Sequence, residues 1–305
     1  MANTIRTNWD TLTNRDILRG GLRKEFDSTL KAEPVQYPSM YNDLKTDEYI
    51  ERDVRMAGLG LAQAVVEGAN IPIQSPKLDT IKEYTQSKFG SGYRITFEMK
   101  KFNKINLVKK LNTSLAKAQR TTKDIEAHKL WNSPTATYTG YDTQVLGYAS
   151  HTCLDDASST YDNIYSAAMS VTGIESGLYY FKKCKNDQGQ TISLRPDTLY
   201  FEPTQMFTAD ELLGSTGMPH EMSNTKNPIA KFGLTQLANL RITSTTAWGM
   251  LAKKDELFDV NIFTSVEPDH HMQDAPDTTR DTIVTSQQLF TWGFGDPRAV
   301  FVGNV

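Results

Sequence analysis

Residues 81–99 read IKEYTQSKFGSGYRITFEM, and the way this stretch pairs decides the fold. Gly90-Ser91-Gly92 carries a turn signal. Beyond it, Tyr93, Ile95, Phe97 and Met99 alternate with Arg94, Thr96 and Glu98, the period of a half-buried strand. Before it, the run from Lys82 to Lys88 holds only Tyr84 as a large apolar group. The local reading is a β-hairpin turning at 90–92, with one apolar arm and one polar arm. Such a hairpin buries too little to stand alone. It is therefore expected to lie on another surface.

Working outward, the longest helical pattern follows at 104–131, where Leu111, Leu115, Ala118 and Ile125 keep one face apolar. Asn132-Ser133-Pro134 stops it. Upstream, Pro72 and Pro76 mark an edge or a loop, since neither donates to a sheet ladder. Leu18, Leu22, Phe26 and Leu30 recur every four residues and predict a short helix, weakened by Gly20 and Gly21. AEPVQYPSMY (32–41) reads as extended chain because Pro34 and Pro38 disfavour helix at the residue before each. Downstream, Thr172-Gly-Ile-Glu175 reads as a capping box opening a helix with Ile174, Leu178 and Phe181 on one stripe. DTLYFEP predicts a strand, and Pro203 suits the first turn of a helix ending near Gly214. Strands are expected within 240–254 and 257–266. Residues 281–304 read as a terminal two-stranded element turning at Gly295-Asp296-Pro297. The class is α+β.

Composition narrows the function. With 33 basic and 36 acidic residues the net charge is −3, which argues against a dedicated duplex-DNA binder. The hydrophobic fraction of 38% is low for a chain of 305 residues, so exposed or shared apolar surface is expected. The opening residues carry no apolar signal region, and no window approaches a membrane span, so a soluble, intracellularly made protein is expected. Cys153 and Cys184 show no CxxC spacing and read as two buried reduced thiols.

Chemical motifs are sparse. Gly58-Leu59-Gly60-Leu61-Ala62-Gln63 imitates a dinucleotide fingerprint but lacks its third glycine and a preceding strand. In EPDHHMQD (267–274), His270 and His271 are adjacent and point to opposite faces of an extended chain, so a solvated loop is expected there and no metal site. His151 and Cys153 would share a strand face, yet no third group orients them as a nucleophile pair. CLDDASSTYDN (153–163) lacks the ligand alternation of a calcium loop. No catalytic residue, cofactor or metal is expected.

The order of elements and several segments resemble the major capsid proteins of tailed bacteriophages, which have the Hong Kong 97 fold, with Mu-like major head subunits the nearest likeness. The resemblance is carried by GLGLAQAVVEGANIP (58–72), FGSGYRITFEMKKFN (89–103) and LAKAQRTTKDIEAHKLWN (115–132). It continues through NDQGQTISLRPDTLYFEP (186–203), TTAWGMLAKK (245–254) and WGFGDPRAVFVGN (292–304).

The resemblance implies an N-terminal arm (1–58), an extended loop (59–100), and a peripheral domain with a spine helix (101–160 and 276–305). It also implies an axial domain (161–275). The subunit would assemble as hexamers and pentamers into an icosahedral head around double-stranded DNA. Lys82, Tyr84, Lys88, Phe89, Tyr93, Ile95 and Phe97 are then the expected intersubunit contacts of the extended loop. Implied partners are copies of itself, a portal protein, a separate scaffolding protein, a decoration protein and packaged DNA touched non-specifically on the inner face, with no membrane. The setting would be the virion, after assembly in the bacterial host cytoplasm. Some relatives link an extended-loop Lys to a neighbour's Asn; no such set is identifiable here, so a non-covalent shell is expected. Two alternatives stand beside this reading, an encapsulin-like nanocompartment shell and a Cys/His hydrolase.

Overall fold

The computed structural model describes residues 12–102, 104–215, 217, 226–274 and 280–303. The chain opens with helix α1 (Leu12–Ala32), the short helix α2 (Tyr37–Met40) and strands β1 (Asn42–Lys45) and β2 (Ile50–Met56). Residues 57–77 carry no strand or helix. Then come β3 (Leu78–Thr85), β4 (Ser87–Ile95), the short helix α3 (Phe97–Lys101) and the long helix α4 (Ile105–Asn132). The middle holds β5 (His151–Thr152), β6 (Thr160–Tyr161), β7 (Ile164–Tyr165), α5 (Val171–Lys182), β8 (Pro196–Phe201) and α6 (Met206–Gly214). Strands β9 (Thr235–Ala238), β10 (Trp248–Ala252), β11 (Val260–Val266), β12 (His271–Asp274), β13 (Thr282–Phe294) and β14 (Val300–Gly303) follow.

Two sheets organise these elements. The first runs β1-β11-β13-β12, with β4 also paired to β13; the second runs β7-β14-β10-β8-β9. In the second sheet β10 is buried along its whole length, and the Trp248 indole donates to the Ala167 carbonyl at 3.0 Å. Helix α4, about 42 Å long at 1.5 Å per residue, joins the two sheets. Its first half packs Val108, Leu115 and Ala116 against Leu22 and Phe26 of α1, Ile95 of β4 and Val284 of β13. Its last turn sets Trp131 edge-on to Tyr200 of β8 at 5.2 Å.

Buried polar side chains on α4 act as ties. Asn112 donates to the Leu22 carbonyl, Gln119 to Ser286 O, and Lys123 to Thr264 Oγ1. Asp124 accepts from the Gln36 and Tyr37 amides and from the Arg241 guanidinium. His128 donates from Nδ1 to Asp124 O and accepts from Asn239 at Nε2, and burial lowers its pKa, so it sits neutral.

Several local expectations are corrected. The hairpin at 90–92 does not form: β4 pairs antiparallel with β13 from Ser87↔Phe290 to Ile95↔Thr282, and β3 pairs with β2 instead. Gly92 serves close backbone approach and not a turn, since a Cβ there would meet Val284 O at 2.6 Å. The strand period ends at Ile95; Thr96 then caps α3 by accepting from Met99 N, which takes Phe97 and Met99 into a helix. The terminal strands are not a hairpin either, because β13 and β14 belong to different sheets. Residues 37–40 form a helical turn, with Pro38 tolerated near its start. The cap of α5 is Ser170, which accepts from Gly173 N, and not Thr172. Within 240–254 only Trp248–Ala252 is strand. Helix α1 runs through Gly20 and Gly21, since Leu22 and Phe26 are anchored on α4. His220, residues 1–11 and most of the 215–228 loop lie outside the described residues.

The crossing from β13 to β14 is made by a buried ion cluster. Arg298 binds Asp296 through Nε at 2.8 Å and 2.9 Å, and its Nη2 lies 3.4 Å from Asp187. Arg55 of β2 stands 3.7 Å from Asp187 and 3.8 Å from Asp296. Burial pushes the Asp296 carboxyl up, and Arg298 and Arg55 more than offset this, holding it below the usual carboxylate value. Asp259 beside it accepts from Asp296 N and Asn261 Nδ2, yet burial together with Asp53 and Asp296 raises it to about 6.

Three outcomes follow for unassembled subunits. Ile95→Ala should cost about 2–5 kcal/mol in denaturant unfolding, as expected for a core residue; a cost near zero would place β4 outside this core. Arg298→Ala should cost about 3–5 kcal/mol, because two carboxylates lose their main partner in a dry site. Asp259 has a folded pKa above its ordinary value, so its contribution is full below that value and is lost as pH rises through about 6. The urea midpoint of Asp259→Asn should therefore gain on wild type between about pH 4 and about pH 7; a constant gap would contradict this.

Candidate intersubunit surface

Strand β2 is built inside out. Its residues alternate with period two, and Asp53 and Arg55 face the body while Val54 and Met56 face solvent. The inward set is polar because it meets Asp187, Asp296 and Lys82. The outward set begins with the exposed ion pair of Arg52 and Glu83 at 2.8 Å and continues as an apolar ladder, Val54 opposite Ile81 and Met56 opposite Leu78, all four exposed. A cross-strand apolar ladder normally covers a core. Here it covers nothing among the described residues of its own chain.

Residues 57–77 extend this surface. Leu59, Leu61, Val65 and Val66 are exposed, and Ile71 and Ile73 are 79% and 96% exposed. The bond from Ala57 N to Lys77 O closes the loop on itself, and the loop meets the body where Gln188 donates to Gly58 O and Lys77 Nζ to Leu154 O. Scattered surface hydrophobics need no explanation, but so many on one ribbon and its loop make a candidate interaction surface.

The residues expected at the interface are distributed differently. Tyr84, 3% exposed, packs at 5.0 Å on Phe263, and Ile95 is fully buried. Phe89 stacks on Phe290 at 4.7 Å, and Tyr93 lies on the α1–α4 core with its hydroxyl 3.4 Å from Asn112 Oδ1. Lys82 donates to Thr139 O at 2.5 Å. Lys88 and Phe97 are on the surface, the latter with Arg280 over its ring. The structure brings together Tyr84, Phe89, Tyr93 and Ile95 as parts of their own subunit. The ladder Val54, Met56, Leu78 and Ile81 was missed. Its signal was the alternation in IERDVRM (50–56), which reads as an ordinary amphipathic strand unless its polar face is known to be buried.

The other chemical candidates resolve into packing. His151 is buried, stacked on Tyr161 at 5.1 Å, with Nδ1 2.6 Å from Asp142. Asp142 is the orienting group that the spacing did not reveal, but the neighbouring Cys153 is a buried thiol whose pKa burial raises, the reverse of a nucleophile. Cys184 is also free and buried, pushed up to about 12 by burial. His270 bonds Asn112 at 3.0 Å beside Phe26, and His271 lies exposed on β12. Among the described residues no group of three or more His, Cys, Asp or Glu side chains could hold a metal ion. No helix of the described residues is long and apolar enough to cross a membrane.

Comparison with known proteins places this architecture. No curated protein sequence matches the chain. Among solved structures, the capsid of cyanophage P-SCSP1u is 10% identical, with 89% of this chain and 88% of that one covered and a TM-score of 0.60. The procapsid of bacteriophage JBD30 is 11% identical, covering 96% and 75%, with a TM-score of 0.56. The virus-like particle from Pyrococcus furiosus is 7% identical, covering 93% and 97%, with a TM-score of 0.52. At such identities the likeness shows the fold, a mixed α and β capsid fold of the Hong Kong 97 type. A family model described as phage capsid protein matches residues 79–303. The protein thus belongs to the phage capsid protein family.

Proposed function

We propose that this capsid protein is the major head subunit of a tailed phage, Mu-like in its nearest kinship, forming hexamers and pentamers around double-stranded DNA. The observation that carries the reading is the inside-out ribbon β2–β3 with its apolar loop. Ten large exposed aliphatic or Met side chains from Val54 to Ile81 have no cover among the described residues of their own chain, and a second copy of the chain supplies it. Each gains on the order of 1.5–3 kcal/mol on full burial, before the cost of ordering the loop. The extended loop is accordingly 50–85, shifted from 59–100, and β4 belongs with α4 in the peripheral body. The α5–α6 region and the second sheet form the axial part. A portal, a separate scaffolding protein and a decoration protein are further partners on this reading, with assembly in the host cytoplasm before release as virions. The protein's work is assembly and not turnover.

The test replaces Val66, Ile71 and Ile73 together by Ser. These side chains are exposed in the subunit, so its unfolding midpoint should change by no more than about 0.5 kcal/mol per site. Electron microscopy should show shells for wild type and dispersed subunits or capsomers for the variant. Normal shells from the variant would overturn the reading of the loop. Wild-type shells filled with a protein cargo and lacking DNA would replace the phage head by a nanocompartment.

A further inference from the structure

The apolar stripe that periodicity draws along α4 is mostly uncovered in the fold. At about 100° per residue, Leu107, Leu111, Ser114, Ala118 and Ile125 fall within an arc of about 60°. No charged side chain between 107 and 125 falls in that arc, which runs about 27 Å along the helix. Leu107 is 47% and Ile125 46% exposed, Ser114 and Ala118 are exposed, and Leu111 is half-buried. Val108 and Leu115, which face the core, border one side of the arc, and Lys110 and Lys117 border the other. Asn112, tied to the Leu22 carbonyl of α1, stands about 120° round from Ala118, so α1 covers a different side. The exposed charged side chains of α4 are Lys109, Lys110, Lys117 and Lys129, all basic. Its acids are engaged within the chain: Asp124 is buried on Arg241, and Glu126 pairs with Lys129 at 2.7 Å.

We infer that this exposed side of α4 docks an amphipathic helix of a partner protein, one whose apolar stripe is flanked by acidic side chains. The alternating four- and three-residue steps from Leu107 to Ala118 are the spacing that seats the side chains of a second helix. Ser114 and Ala118, small and central, let its backbone come close, while Leu107, Leu111 and Ile125 supply apolar anchors toward the ends. The border of Lys110 and Lys117 attracts an acidic flank and repels a basic one. The same charges count against a second copy of α4. In an antiparallel pair, Lys110 and Lys117 of one helix would meet the same lysines of the other. The β2–β3 ribbon is the surface offered to copies of the chain; this side of α4 is offered to a different molecule. The inference concerns the single subunit and does not depend on shell formation.

The test uses two stapled, fluorescein-labelled helices of about three heptads, each with Leu at a and d. One carries Glu at e and g, its twin Lys. Anisotropy with unassembled wild-type subunits should show the Glu helix binding, and binding should weaken as salt rises from about 50 to about 500 mM. The Lys helix should bind roughly tenfold more weakly or not at all. L107S/I125S changes only exposed side chains, so circular dichroism and the unfolding midpoint should hold while affinity for the Glu helix falls roughly tenfold or more. K110E, also at an exposed site, should narrow the preference for the Glu helix. Failure of the Glu helix to bind, equal binding of both helices, or binding untouched by L107S/I125S would overturn the inference. Sedimentation of the same proteins checks the other occupant: wild-type dimers that vanish in L107S/I125S would give this side of α4 to a second copy and overturn the partner helix.

Discussion

The buried cluster of Arg55, Asp187, Asp296 and Arg298 is the constraint on which the rest of the structure depends. Taking charges out of water costs several kcal/mol per ion, and only mutual pairing with good geometry offsets it. Three distant parts of the chain must therefore meet: strand β2, the turn after α5, and the crossing between β13 and β14. The crossing is where the chain leaves one sheet for the other, so the cluster also sets how the sheets join. Asp259, raised to about 6 by burial and then by Asp53 and Asp296, makes this junction sensitive to pH.

The same cluster turns β2 over. Once Arg55 and Asp53 face the body, period-two alternation forces Val54 and Met56 outward, and register places Ile81 and Leu78 beside them. A strand normally turns its apolar face to its own core; this one leaves Val54 and Met56 exposed. The body can do without it, because α4 already unites α1, β4 and β13 in one core and the second sheet in another. The residues that hold the body together are thereby separate from the apolar residues left at its surface.

Much of the fold could be read from local pattern. The extent of α4, the stripe of α5, the 196–201 strand and the helix after Pro203 appear where periodicity and turn signals place them, because those signals involve residues within one or two turns of each other. The face of α4 does not: Ala118 and Ile125 of the expected stripe are exposed, and the buried face runs through Val108, Leu115, Ala116, Gln119 and Ala127. The succession of segments resembling capsid proteins carried the family, which the match over residues 79–303 shows.

What local pattern could not supply was the partner of each strand. Period-two alternation in Tyr93 and Ile95 says that one face is buried, but a backbone hydrogen-bonds equally well to any strand in register. Gly90-Ser91-Gly92 is equally ambiguous, since glycine permits both a turn and a close backbone approach. Only the tertiary structure chose, by setting β13 against that stretch with Val284 O where a side chain would clash. The face of β2 was undetermined for a stronger reason. Its polar residues turn inward only because Asp187 and Asp296, far away in sequence, come to meet Arg55. The sequence by itself determined the longer helices α1, α4, α5 and α6, most strand-forming stretches and the family; long-range charge pairing and strand pairing decided which residues the subunit buries and which it leaves exposed.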